Sequence, residues 1–137
     1  MRLYVSNQTS DLLHHLAVQI KQVKHTPKKD DDAPAIHDLR VAIRRLRQCV
    51  RVFESFFPAK QGRKVRAQLS KVMHACGEVR DRDIALGLLA EAGVDESSPL
   101  LKRLRKERRS AQRALQKELG RWADSGLARS FKAEVKA

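Results

Sequence analysis

Apolar residues recur in steps of three and four over most of the chain, and the clearest run lies between Ile36 and Phe57. That spacing places apolar side chains on one face of a helix, and this face must be buried against other helices. The run predicts a helix from Ala33 to about Phe57, because Pro58 disfavours a continued helix. Its apolar positions are Ile36, Leu39, Ile43, Leu46, Val50, Phe53 and Phe57.

The same periodicity predicts helices on both sides of this segment, and no alternation typical of a strand occurs. We therefore predict one all-α domain over residues 1–137, an antiparallel bundle of about five or six helices. Met1 to Ser6 is predicted to be a lead-in, and Thr26 to Pro34 a linker. The other predicted helices run from a cap at Asn7 or Ser10 to about Lys24, from Lys60 to about Val79, from Asp83 to Ala92 with Asp81 as N-cap, from Ser98–Pro99 to about Trp122, and from Leu127 to Ala137.

A stripe of basic residues follows the apolar face of the second helix. It repeats the apolar steps one residue later and is therefore rotated by about 100° around the helix axis. Like charges at these spacings repel by a few tenths of a kcal/mol per pair, so an acid-free stripe beside the core suggests an anionic partner. The alternative is a solvated face, or pairing with acids from elsewhere in the chain. The stripe consists of His37, Arg40, Arg44, Arg47 and Arg51.

Residues 37–47 (HDLRVAIRRLR) resemble the signature of the CHAD family, the conserved-histidine α-helical domains. Residues 77–84 (GEVRDRDI) are similar to that family's second signature, in the same order. The resemblance implies an all-helical domain that binds inorganic polyphosphate through inward-facing basic residues, often at polyphosphate granules. It also implies that Arg80 contacts the ligand, with Asp81 orienting a basic side chain.

The first signature occurs once, so the chain resembles the N-terminal half of a family whose members usually carry two similar helical halves. The resemblance therefore implies that one wall of the binding channel lies outside this chain. A chain with only one half can restore the symmetric two-half arrangement by pairing with a second copy of itself, and two-fold pairing is the commonest form of self-association. We accordingly predict a homodimer.

Three further arginines are candidate ligand contacts. Arg63 and Arg66 lie on a flank of the third predicted helix, beside its apolar seam. Arg108 falls inside the apolar row of the fifth predicted helix, where an arginine either extends to solvent or reaches an enclosed anion. His74, also on the third predicted helix, is not counted among the ligand contacts and is expected to be exposed or to have an ordinary structural partner.

The overall charge supports a polyanionic partner. Lys and Arg number 29 against 16 Asp and Glu, giving a formal net charge of +13. Such an excess predicts polyanion binding with a strong dependence on salt. Aromatic residues make up only 4% of the chain, which leaves few rings for stacking on single-stranded nucleic acid. The composition therefore favours a ligand made of phosphate alone, and nucleic acid is the second choice.

Other function classes find less support in the sequence. The sequence contains no run of about 18 apolar residues, the length that a membrane-spanning helix needs, and no secretory h-region. A cytoplasmic location is therefore expected. Cys49 and Cys76 lie within helical patterns, which suggests reduced thiols and not a disulfide. No set of residues has the spacing of metal ligands, and no cofactor is predicted. No nucleophile–base pair stands out, which predicts binding without catalysis. The rival hypotheses are a helical nucleic-acid-binding protein and a module that recruits partners to polyphosphate granules.

Overall fold

The described part of the chain, residues 1–26 and 32–134 in a computed structural model, is built from helices and contains no strand. The all-α prediction is therefore confirmed. Only Ser125 and Gly126 separate the last two helices, and Gly126 has a positive φ of 68°. The elements are α1 (Arg2–His25), α2 (Ala33–Val52), a 3₁₀ turn (Glu54–Phe56), α3 (Ala59–Glu91), α4 (Pro99–Asp124) and α5 (Leu127–Glu134).

Successive long helices run antiparallel. The hydroxyl of Thr9 in α1 lies 3.8 Å from the sulfur of Cys49 in α2, so the beginning of one helix meets the end of the next. The early α3 residue Gln68 donates a hydrogen bond to the late α4 residue Glu118 at 3.3 Å. Helix α3 packs against both α2 and α4, while α5 crosses one end of the bundle and contacts α3 and α1.

The core is formed by the apolar stripes that the sequence predicts. In α2, Leu39, Ile43 and Leu46 are fully buried, and Leu16 of α1 is almost so. At the end of the bundle, Phe131 of α5 stacks on another ring, that of Phe57, with ring centroids 4.2 Å apart. The remaining fully buried large side chains include Leu69, Leu115 and Leu119.

Three predicted boundaries are wrong. Helix α1 begins at Arg2, without a lead-in, because Val5 is fully buried and draws the first turns into the bundle. Helix α2 ends at Val52, and the chain passes through the 3₁₀ turn before Phe57 enters the core. The predicted third and fourth helices are one continuous α3, in which Asp81 is an exposed mid-helix residue and not a cap.

The continuity of α3 has a local explanation. Arg82 forms an ion pair with Glu78 one turn earlier and reaches Glu107 of α4 at 3.7 Å. Pairs at this spacing support a helix, so the charged segment strengthens the turn that it was expected to interrupt. The helix ends where predicted, just before Gly93, whose φ is 74°. Most of the predicted linker, residues 27–31, and the final residues 135–137 lie outside the described part of the chain.

Candidate anion-binding groove

Helices α2 and α3 enclose a groove of about 550 Å³ with basic walls. Five of its lining side chains come from α2, and the sixth, Arg66, comes from the facing turn of α3. We call it the basic groove. Its lining residues are Arg44, Arg45, Arg47, Gln48, Arg51 and Arg66.

The positions of these arginines follow from the burial of their neighbours. In α2, Ile43, Leu46 and Val50 are buried, so Arg44, Arg47 and Arg51 follow the core face at its edge. In α3, burial of Val65 and Leu69 sets the adjacent Arg66 at the same kind of edge. Two packed helices with basic residues at their shared edge produce a groove that is positive on both sides.

The charge of the basic groove is not neutralised. None of its lining residues is acidic, and none of its five arginines takes part in an ion pair with another described residue. Guanidinium groups keep their charge at any physiological pH, so five like charges share one concave surface. A groove of this kind concentrates anions, because low-dielectric walls focus the field of the charges.

Arg40 continues the stripe toward the beginning of α2. Its side chain is half-buried, and its Nε is buried without a hydrogen-bond partner. Leaving a buried donor unpaired costs about 1–3 kcal/mol. Burial raises the pKa of the neighbouring Cys76 thiol to about 12, although the positive charge of Arg40 acts in the opposite direction. Cys76 is therefore neutral at physiological pH and leaves the charge of Arg40 uncompensated.

The two cysteines provide a test of this packing. Because Cys76 is buried and its pKa is raised to about 12, almost no thiolate is present at neutral pH, and the thiolate is the reactive form. Burial also raises the pKa of Cys49. We expect iodoacetamide to label neither cysteine in the native protein and both in denaturant, as measured by mass spectrometry. Rapid labelling of native Cys76 would show that the α2–α3 interface is looser than described.

His37 and Arg80, from the two signature segments, meet at the beginning of α2. They line a second cavity of about 220 Å³ together with Ile36, Asp83 and Ile84. Both basic side chains are exposed. The carboxylate of Asp83 makes this cavity less positive than the basic groove, and its apolar lining makes it less polar.

Arg63 lies beyond the other end of the basic groove. It lines a cavity of about 380 Å³ with Arg66, which belongs to both cavities and connects them. Glu54 lines the same cavity, so its charge is mixed. Along α2 the cavity at His37, Arg40, the basic groove and the cavity at Arg63 follow one another. We call this succession the track, and the basic groove is its most positive part.

Arg108 does not join this track, contrary to its grouping with the ligand contacts. Its Nε donates a hydrogen bond to Asp83 Oδ1 at 2.7 Å, and its Nη2 donates to Asp32 Oδ1. Gln112 Nε2 donates to the other oxygen of Asp32 at 3.0 Å. The hydrogen bond from Arg108 to Asp83 is the main cause that raises the pKa of Arg108. Arg108 therefore binds two carboxylates of the protein itself and not a ligand anion. These ion pairs link the beginning of α2, through Asp32, to α3 and α4.

Arg45 and Gln48 are groove residues that the sequence analysis did not identify. Arg45 lies outside the stripe of threes and fours, whereas Gln48 follows the same spacing, four residues after Arg44, but is uncharged. Arg45 could have been identified from the adjacent arginines at 44 and 45. Two adjacent arginines on a helix diverge by about 100° and can approach one ligand from different angles.

The described residues give no indication of a metal site or of a membrane-spanning helix. His74 is exposed and lies 3.6 Å from Glu78, the ordinary partner that was expected. Within residues 1–26 and 32–134, no three His, Cys, Asp or Glu side chains are grouped so that they could hold a metal ion. In the same ranges, no helix has the length and apolar character needed to cross a membrane.

The family model described as CHAD domain matches the chain over residues 9–137. The match includes both signature segments and every residue of the basic groove. No curated protein and no solved structure matches the chain significantly.

Proposed function

The chain belongs to the CHAD domain family, and we propose that it binds inorganic polyphosphate in the basic groove without hydrolysing it. The family is associated with polyphosphate binding and is generally non-catalytic. The observation that carries the proposal is the set of five unneutralised arginines on the two walls of one groove. A polyanion without bases or other apolar parts suits walls of this composition.

The chemistry of the walls fits phosphate oxygens. A guanidinium group offers several donors in a planar fork and can bind two oxygens of one phosphate. Along α2, Arg44, Arg47 and Arg51 are separated by about 4.5–6 Å of helix rise. A linear chain with a negative charge on each internal phosphate can therefore lie along α2 and meet a cation at every turn.

The track extends the ligand path beyond the groove. From His37 to Arg51 the helix rises by about 21 Å, which accommodates several linked phosphates. Arg40 lies on this path as a half-buried cation, and His37 with Arg80 flanks it at the beginning of α2. Arg63 flanks the other end. We propose these four residues as secondary contacts.

A competition experiment tests the identity of the ligand. Labelled polyphosphate bound to the protein is challenged at fixed salt with unlabelled polyphosphate, duplex DNA or RNA. We expect polyphosphate to displace the label at lower phosphate concentration than either nucleic acid, and no orthophosphate to be released during the incubation. Equal displacement by DNA or RNA would favour the rival nucleic-acid function, and steady release of orthophosphate would reveal an enzyme.

The affinity for polyphosphate should fall steeply as salt is added. Each phosphate contact releases condensed counterions, so the logarithm of the binding constant should fall with the logarithm of salt concentration at a slope of roughly 3 or more. The relation is borrowed from nucleic acids, which are also linear polyanions. Isothermal titration at several salt concentrations measures the slope. A slope near zero would exclude an electrostatic groove.

We also propose that the chain forms a two-fold dimer that polyphosphate strengthens. Exposed apolar side chains on the last turns of α3, Ile84 and Leu88, offer surface for such an interface. The net charge of +13 per chain opposes pairing, and a bound polyanion would neutralise it. Light scattering over a concentration series should show a dimer fraction that grows with added polyphosphate. A monomer under both conditions would exclude this proposal.

Recruitment to polyphosphate granules is the cellular role that this binding would support. Pull-downs from cells with and without polyphosphate test it, since granule partners should be captured only when polyphosphate is present. Capture that does not depend on polyphosphate would indicate a direct protein interface.

A further inference from the structure

Helix α4 carries a second cationic surface, which the proposed function does not use. Five Lys and Arg residues recur at steps of four, three, four and four along the helix, and all five are exposed. The buried residues of α4, among them Leu115 and Leu119, lie on the opposite side of the helix. We call this surface the outer α4 stripe; it consists of Lys102, Lys106, Arg109, Arg113 and Lys117.

The stripe lacks the acidic partners that three other cations of α4 have. Arg105 pairs with Glu96, Arg108 with Asp32 and Asp83, and Arg121 with Glu118. Within the described residues no ion pair includes a member of the stripe. Arg113 makes one hydrogen bond, from its Nη2 to the Ser110 hydroxyl at 3.3 Å. Acids therefore pair with several cations on the flanks of α4, while the five residues of the stripe, from Lys102 to Lys117, carry a single sign of charge.

The stripe is also separate from the basic groove. None of its residues lines that groove, which is formed by α2 and α3. Helix α3 packs against both α2 and α4 and therefore lies between the two surfaces. Each of the two surfaces can hold its own ligand.

We propose that the outer α4 stripe binds double-helical nucleic acid through the phosphate backbone, without reading the base sequence. The stripe rises over about 22 Å along one side of α4, so it touches a ligand from one side only. A rigid duplex suits such a surface, because it presents about one charge per 1.7 Å of its axis without being enclosed. A flexible polyanion gains more from the concave groove, where cations surround it.

The composition of the stripe argues against other partners. It contains no aromatic side chain, so it offers no stacking platform for a single strand. It contains no Asn or Gln, the side chains that pair with adenine edges, so we expect no sequence preference. Helices that bind at membrane surfaces insert apolar residues beside their cations, and the stripe has none to insert.

Two matched variants test the proposal. The stripe variant K106Q/R109Q/R113Q and the groove variant R44Q/R47Q/R66Q each remove three positive charges, so their net charges are equal. Fluorescence anisotropy of the full chain with labelled duplexes of two unrelated sequences measures binding. We expect the stripe variant to lose roughly tenfold or more in duplex affinity for both sequences, because its phosphate contacts are removed. The groove variant should stay within about threefold of the unmodified protein, since a lost charge outside the contact surface is largely screened.

Several results would overturn the proposal. Equal losses in the two variants would show that diffuse charge binds the duplex, and a large difference between the two sequences would indicate base readout. If vesicles containing anionic lipid displace the duplex from the unmodified protein and do not bind the stripe variant, the stripe is a membrane-binding surface. Full displacement of the duplex by saturating polyphosphate at constant ionic strength would show a shared site.

The stripe and the proposed function can fail independently. If the stripe variant loses duplex affinity while the unmodified protein does not bind polyphosphate, the stripe proposal stands and the proposed function falls. If both hold, one chain can join polyphosphate to nucleic acid, and a ternary complex should form in which labelled duplex is retained on immobilised polyphosphate. The stripe variant should abolish that retention while still binding polyphosphate. The positions in the stripe variant are exposed, so its fold should be unchanged, and circular dichroism checks this.

Discussion

Replacing Arg44, Arg47 or Arg40 with alanine should weaken polyphosphate binding by roughly 1–3 kcal/mol each, as expected when a charge-assisted hydrogen bond is removed. Arg44 and Arg47 line the basic groove, and Arg40 has a buried donor with no partner in the protein. Because Arg66 supplies the opposite wall, R44A/R47A/R66A should lose more than any single variant, roughly a hundredfold or more. Isothermal titration at constant salt measures each loss.

The matched controls are Arg109→Ala and Arg113→Ala. Each removes the same charge from the outer α4 stripe, so a long-range electrostatic effect would be similar for both groups. We expect much smaller losses from the controls, because α3 lies between the stripe and the groove. If the control variants lose as much affinity as Arg44→Ala, binding depends on diffuse charge and the groove is not a site.

The sequence was sufficient to place the core and the first wall of the candidate groove. The apolar periodicity of α2 fixes which side of the helix is buried, and the basic stripe one residue later must then lie at the edge of that side. Leu39, Ile43 and Leu46 are buried as predicted, and Arg44, Arg47 and Arg51 meet in the groove. This inference needs only the geometry of a single helix.

The second wall was only partly predictable. Arg66 was a candidate from its place beside the seam of α3, but periodicity does not say which helix it faces. That depends on the antiparallel pairing of α2 and α3, a long-range feature. Arg45 was missed for a related reason: it lies off the stripe and contributes only because the groove is wide enough to include the outer side of α2.

The errors concern charged residues whose partners are far away in sequence. The acids at 81 and 83 resembled a helix start, yet Asp83 accepts a hydrogen bond from Arg108, 25 residues later, and α3 continues. Asp32 lies in the segment that was predicted to be a linker. Instead it is 4% exposed and bound by two α4 side chains. A local pattern can indicate a charge, but the fold decides what neutralises it.

Breaking the tether between Arg108 and its two acids should cause the largest loss of stability among single substitutions of charged residues in α4. Arg108→Gln leaves Asp32, with a side chain only 6% exposed, without its cationic partner. Removing one member of a buried ion pair costs about 3–5 kcal/mol, and partial exposure of Arg108 places the expectation near the lower end, at about 3 kcal/mol. Urea denaturation measures the free energy of unfolding. Arg109→Gln, the adjacent exposed residue, should change it by less than about 0.5 kcal/mol.

The same variant separates a structural role from a ligand contact. The double variant D32N/R108Q removes the buried charge as well as its partner, so it should recover part of the lost stability. Under conditions where Arg108→Gln remains folded, we expect its polyphosphate affinity to fall less than that of Arg44→Ala, because both carboxylates already engage its guanidinium. A loss as large as that of Arg44→Ala would mean that polyphosphate draws Arg108 away from Asp32 and Asp83. In that case the ligand would loosen the beginning of α2 as it binds, and D32N/R108Q would lose affinity without losing much stability.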